Sequence, residues 1–188
     1  MDDIRIKASA AVLYCLFAMC PAGPVSAESL EEHNVLAALT LNIVRFTSWP
    51  AGAFKEASDN ITLCLIGDNI VQQAFENIKH KGVGNKRLNV VFLSRLRNFE
   101  SCQVLYISEL KRNILLQVID EVKNLPVLTI GESNEFAHEG GMVGMENVRG
   151  KIQLTVNLSV VKVAGLTISS RLLKLATVIG ETGVKETK

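Results

Sequence analysis

Four short apolar runs constrain this chain more than any other feature. NITLCLIG, KRLNVVFLS, CQVLYIS and PVLTIG are brief, rich in Val, Leu and Ile, and two of them end in glycine. Continuous apolar runs of this length read as strands buried on both faces. Between the first two, IVQQAFENIKHKGV sets Ile70, Ala74 and Ile78 at helical spacing and closes at Gly82. Between the last two, LKRNILLQVIDEVKN turns Leu115, Ile119 and Val122 inward and leaves Lys111, Arg112, Glu121 and Lys123 outside. Strand, helix, two strands, helix, strand predicts an α/β fold, with a mainly parallel or mixed sheet flanked by helices.

The flanking segments fit the same plan. In LEEHNVLAALTLNIVRFTSWP, the spacing of Leu36, Leu39, Ile43 and Phe46 predicts a helix. Glu31 and Glu32 near its start suit the helix dipole, and Pro50 is its predicted stop. Further on, MVGMENV and KIQLTVNL flank Arg149-Gly150, and Ile152, Leu154 and Val156 alternate with polar residues. That pattern predicts a β-hairpin added to the sheet. LSVVKVAG reads as a short helix ended by Gly165, and Ser169 or Ser170 as the cap of a last helix, SRLLKLATVI. No internal repeat, low-complexity segment or long linker interrupts residues 28–188, which read as one domain.

Residues 1–27 behave differently. Arg5 and Lys7 precede the apolar run ASAAVLYCLFAMC, and PAGPVSA ends in the small residues Val25-Ser26-Ala27. This reads as a secretory signal peptide cleaved near Ala27. An apolar stretch of about 13 residues is too short to cross roughly 30 Å of hydrocarbon, so no membrane insertion is expected. Met19 stands where a lipoprotein signal wants a small residue before Cys20. Cleavage removes Cys15 and Cys20 and leaves Cys64 and Cys102. Two cysteines in an oxidising compartment invite one disulfide, and their distance in sequence argues for a structural rather than a redox-active one.

Composition and motifs remove several functions. A formal net charge of +1 gives no basic surface for phosphates, and 5% aromatics offer little for base stacking, so nucleic acid is not an expected partner. The stretch VLTIGESNEFAHEGGMVGM resembles a phosphate loop only in its glycines. It lacks G-x-G-x-x-G, G-x-x-x-x-G-K-[ST] and any Lys or Arg, and reads as a strand exit, a helical turn around Glu135–Ala137 and a Gly-Gly turn. His33 is expected on the solvated face of the first helix and His80 in an exposed lysine-flanked run. His138, beside Glu139 and near Glu132 and Glu135, lacks the spacing of a metal site. No Ser lies in G-x-S-x-G. The reading is a non-enzyme without cofactor or metal.

NIVRFTSWP, LCLIG, Cys102 before VLYIS, VLTIGESNEFAHEGGMVGM and KIQLTVNLSVVKVAGLTISSRLLKLA resemble, in order and spacing, the YfiR/HmsC-like family. The resemblance covers residues 36–180. It implies a small periplasmic α/β protein, usually a homodimer, that binds and represses the periplasmic domain of an inner-membrane diguanylate cyclase. Repression lowers cyclic di-GMP and biofilm formation, and some systems add an OmpA-like outer-membrane lipoprotein that sequesters the repressor. Cys64 and Cys102 match a cysteine pair of the family. A second pair found in some members near GGMVGM is missing here, and Ser48-Trp49-Pro50 replaces an Arg-Trp-Pro, with Arg45 one helical turn earlier.

Trp49 reads as an aromatic anchor for a partner or, equally, as a core residue. Ser169, Arg171 and Lys174, beside Leu172 and Leu173, read as a partner- or ligand-binding face or as the outer face of an ordinary amphipathic helix. The alternative function is a periplasmic small-molecule sensor module acting on another membrane signalling protein.

Overall fold

Residues 25–54 and 58–180 are described, in a computed structural model. The first half runs α1 (Val25–Arg45), β1 (Thr47–Ser48), β2 (Asn60–Ile66), α2 (Asn69–Glu76), β3 (Gly82–Val83), β4 (Lys86–Phe92), β5 (Val104–Ile107) and α3 (Arg112–Val122). The second half runs β6 (Leu128–Gly131), α4 (Asn134–His138), β7 (Val143–Val148), β8 (Lys151–Asn157), α5 (Leu158–Val163), β9 (Thr167–Ile168), α6 (Ser170–Leu173) and β10 (Thr177–Ile179).

Eight of these strands form a mixed sheet in the order β10-β8-β7-β6-β5-β2-β4-β3. β4, β2, β5, β6 and β7 run parallel, and so do β8 and β10. The β7–β8 hairpin and the β3–β4 pair are antiparallel. The apolar runs LCLI, VLYI and LTIG occupy β2, β5 and β6, the centre of the sheet, where both faces are covered.

Alternation along β2 separates two cores. Leu63 and Leu65 face α1 and α2 in the larger one. Cys64 and Ile66 face Val118, Ile119 and Val122 of α3, with Phe136 of α4, in the smaller one. The connection from β4 to β5 carries only a three-residue 3₁₀ turn, Phe99–Ser101, instead of a covering helix. Its buried Phe99 packs in the smaller core, and the disulfide between Cys102 and Cys64 ties this strap to β2.

The structure corrects four expectations. α1 stops at Arg45, well before Pro50, and Phe46 is at the surface. There the Thr47 hydroxyl donates to the Ile43 carbonyl (2.8 Å), and Thr47–Ser48 leave the helix to pair with β9, so strand pairing overrides the helical spacing. α2 ends at Glu76, and Gly82 lies in β3 rather than terminating the helix. Ser169 does cap a last helix, but α6 has only four residues; β-branched Thr177–Ile179 add instead to the edge of β8 as β10. His33 is the fourth, and it belongs to the site below. The signal-peptide reading falls outside the described residues, apart from Val25–Ala27 at the start of α1.

Candidate functional site

The winding of the sheet reverses at β2. From β2 the chain passes through α2 to β4 on one side; β5 lies on the other side and passes through α3 to β6. Connections that leave in opposite directions open a crevice outside the carboxyl ends of the strands, the usual ligand position in open α/β sheets. A cavity of about 440 Å³ occupies that place here. Gly67 and Asp68 reach it from β2, Ser108 and Glu109 from β5, Glu132 from β6, and Ser29 and His33 from α1. A further volume of about 310 Å³ shares Ser29, His33, Glu109 and Glu132 and extends to Leu36 and Met145.

Local backbone chemistry shapes this crevice. A Cβ on Gly67 would lie 2.9 Å from the Val71 side chain and 3.3 Å from that of Ser108, so only glycine allows α2 to approach so closely. Asp68 caps α2, its Oδ1 accepting from the N–H of Ile70 (2.9 Å) and Val71 (3.0 Å). Ser133 caps α4 in the same way, accepting from the Phe136 N–H at 3.2 Å. Two amide donors at the start of α2 and one at the start of α4 therefore already have carboxylate or hydroxyl partners.

Glu132 is the centre of the site. Its Oε1 accepts the hydroxyl of fully buried Tyr106 at 2.7 Å, and its Oε2 lies 3.7 Å from His33 Nε2. Burial raises the Glu132 carboxyl above the usual glutamate range; the Tyr106 hydroxyl, His33 and the Ser108 hydroxyl pull it back, and Glu109 adds a small upward push. Burial, chiefly, and then the Glu132 charge push the Tyr106 hydroxyl far upward, so it stays a donor. The Tyr106 ring is fixed against Phe75, with centroids 4.3 Å apart.

His33 corrects the sequence reading. It is half-buried against the sheet rather than solvated, with Nδ1 bonded to the Ser29 carbonyl at 2.7 Å. A nitrogen facing a carbonyl carries the proton, so in the neutral ring Nε2 is left as an acceptor toward Glu132. The other histidines stand elsewhere: His80 and His138 are exposed. Glu139 pairs with Arg112, away from Glu132, and among the described residues no cluster of His, Cys, Asp or Glu has the makings of a metal site.

The residues expected to meet a partner form a second locality. β1 and β9 make a two-stranded ribbon in which Thr47 faces Ile168 and Ser48 faces Thr167. The Ser169 N–H donates to the Phe46 carbonyl at 2.8 Å. This brings the segment of Arg45 and Trp49 beside that of Ser169, Arg171 and Lys174. Arg45 is exposed and donates from Nε to the Gly82 carbonyl at 3.0 Å. Arg171 and Lys174 are exposed, as is Leu175, with 77% of its surface in solvent. Ser169 turns its hydroxyl inward to cap α6. Trp49 is only half-exposed: it packs on the larger core, stands edge-on to Phe54, and donates its indole N–H to the Gln103 carbonyl at 3.1 Å.

A family model described as YfiR/HmsC-like matches residues 33–177, from His33 in the cleft to the first residue of β10. The chain belongs to the YfiR/HmsC-like family. The family is periplasmic and regulatory rather than catalytic, and acts in diguanylate cyclase signalling. This YfiR/HmsC-like chain is also similar to a solved structure described as a conserved domain protein from Vibrio cholerae O1 biovar El Tor. The TM-score is 0.49 at 11% identity, over 78% of this chain and 59% of the Vibrio chain, so the protein spans less than two thirds of that relative. No protein with a curated description matches. Among the described residues no helix is long and apolar enough to cross a membrane.

In this YfiR/HmsC-like protein the sequence singles out the segments of Trp49 and of Ser169, Arg171 and Lys174, but not the cleft. The signal was present. Three strand exits read Ile66-Gly67-Asp68, Ile107-Ser108-Glu109 and Ile130-Gly131-Glu132: apolar, small, acidic. In the sheet Ile66 pairs with Ile107, and Ile107 with Gly131, which lines the three acidic residues along one rim. A recurring acidic residue one or two positions beyond consecutive parallel strands marks the carboxyl edge of the sheet.

Proposed function

We propose that this protein binds the periplasmic domain of an inner-membrane diguanylate cyclase and holds it inactive, lowering cyclic di-GMP and biofilm formation. The observation that carries this reading is the YfiR/HmsC-like match across residues 33–177. The chain acts by binding and not by catalysis, after export and cleavage near Ala27. The ribbon formed by β1 and β9 supplies the docking surface. Its exposed cations Arg45, Arg171 and Lys174 and its apolar Phe46 and Leu175 suit a partner patch that is acidic around an apolar centre. A homodimer would present the surface twice, matching a symmetric cyclase. An OmpA-like outer-membrane lipoprotein competing for the same surface would relieve repression.

Trp49 is a poor residue to test, because its ring and indole N–H are tied into the body of the protein. Charge reversal at exposed Arg171 and Lys174 leaves the core untouched. The protein purified from periplasm should retain a diguanylate cyclase from detergent-solubilised inner membranes. The Arg171→Glu, Lys174→Glu variant should lose it while keeping an unchanged Tm. Retention by the variant would discard the surface, and failure of the native chain to retain any cyclase would discard the function.

A further inference from the structure

We infer that the cleft between β2, β5 and β6 is a binding site for a small organic cation, an aliphatic amine with one or two ammonium groups. The site is distinct from the ribbon of β1 and β9 and independent of the proposed cyclase partner.

The place comes from topology: the cavity of about 440 Å³ sits at the reversal of winding and is within the size range of small-molecule pockets. The chemical class comes from what faces it. Glu132, Glu109 and Asp68 present carboxylates, Ser108 a buried hydroxyl, and among the described residues no Lys or Arg lines the cavity. The Ile70 and Val71 N–H groups at the start of α2, which would otherwise attract an anion, are occupied by Asp68. His33 Nδ1 is turned back to Ser29, so the neutral ring offers the cleft only an acceptor. A ligand must therefore bring donors and positive charge.

Glu132 is set up to receive them. Tyr106 holds Oε1, while Oε2 has His33 Nε2 at 3.7 Å, beyond hydrogen-bond distance. An ammonium group between Oε2, Ser108 and His33 would gain charge-assisted bonds in a partly dehydrated setting, where they are stronger than in water. The hydrocarbon of the amine would lie against Ile66 and Val71, and a second ammonium group would reach the exposed Glu109 on the rim. Acidification should weaken binding, because a proton on Glu132 removes the anion that the ammonium group meets.

The test is calorimetric titration of the purified protein with putrescine, 1-aminobutane and succinate, alongside melting curves. Saturable putrescine binding is expected, with a rise in Tm of about 3–6 °C at ten times Kd. Succinate should give neither. Glu132→Gln should weaken putrescine and 1-aminobutane by about tenfold or more. Glu109→Gln, on the exposed rim, should weaken putrescine and leave 1-aminobutane unchanged. Absence of saturable amine binding overturns the proposal, as does undiminished binding to a folded Glu132→Gln variant or equal binding of succinate.

Discussion

At the scale of single residues, the Glu132 carboxylate is held partly out of water by α1 and the sheet, with the Tyr106 and Ser108 hydroxyls and a nearby imidazole in place of its solvent shell. Burial outweighs those partners, so the folded-state pKa lies above the ordinary value of 4.5. Below 4.5 the group is protonated in folded and unfolded chains alike. As pH rises, the unfolded chain releases its proton first, and stability falls until the folded group has also ionised. Glu132→Gln keeps an oxygen for the Tyr106 hydroxyl and cannot ionise. It should therefore be more stable than the native chain at neutral pH, with the two converging toward pH 4.5. Urea midpoints measured across that range decide the matter. A native chain more stable at neutral pH would mean that Tyr106, His33 and Ser108 compensate the buried charge in full.

At the scale of elements, the strap from β4 to β5 replaces a helix by a covalent tie. Cys64 and Cys102 are buried, with a sequence separation of 38 residues. In the chain-entropy account such a bridge contributes about 3–4 kcal/mol. The Cys64→Ala, Cys102→Ala variant should lose stability on that scale by chemical denaturation, and reductant should destabilise only the native chain. A smaller loss would mean that Phe99 and the strand pairing hold the strap without the bond. The elements also differ in how plainly the sequence announces them. β2, β5 and β6 were legible because central parallel strands are apolar throughout, and α3 because its apolar stripe faces the sheet. The end of α1 and the start of β10 were not. Phe46 continues the helical spacing and Thr177–Ile179 continue an apolar run, and what diverts both is pairing with strands distant in sequence, β9 and β8. His33 was misread for the same reason. Its charged neighbours in sequence suggest solvent, but its neighbours in space are Ser29 and Glu132.

At the scale of the whole molecule, the sheet ends in two very short edge strands, β3 and β10, which limit pairing with other chains. The proposed docking surface lies off that sheet, in the ribbon of β1 and β9. Thr47 and Ile168, Ser48 and Thr167 are neighbours only because the chain has folded. A partner that docks there should protect the amides of residues 45–49 and 167–175 from hydrogen exchange together. Protection of one segment alone would place the contact elsewhere. A synthetic peptide of either stretch should fail to compete with the intact protein. The ribbon thus amounts to a conformational epitope: antibodies raised against denatured protein would miss it, and a mutation that separates its two short strands should abolish the proposed docking while leaving every side chain of the two segments in the sequence.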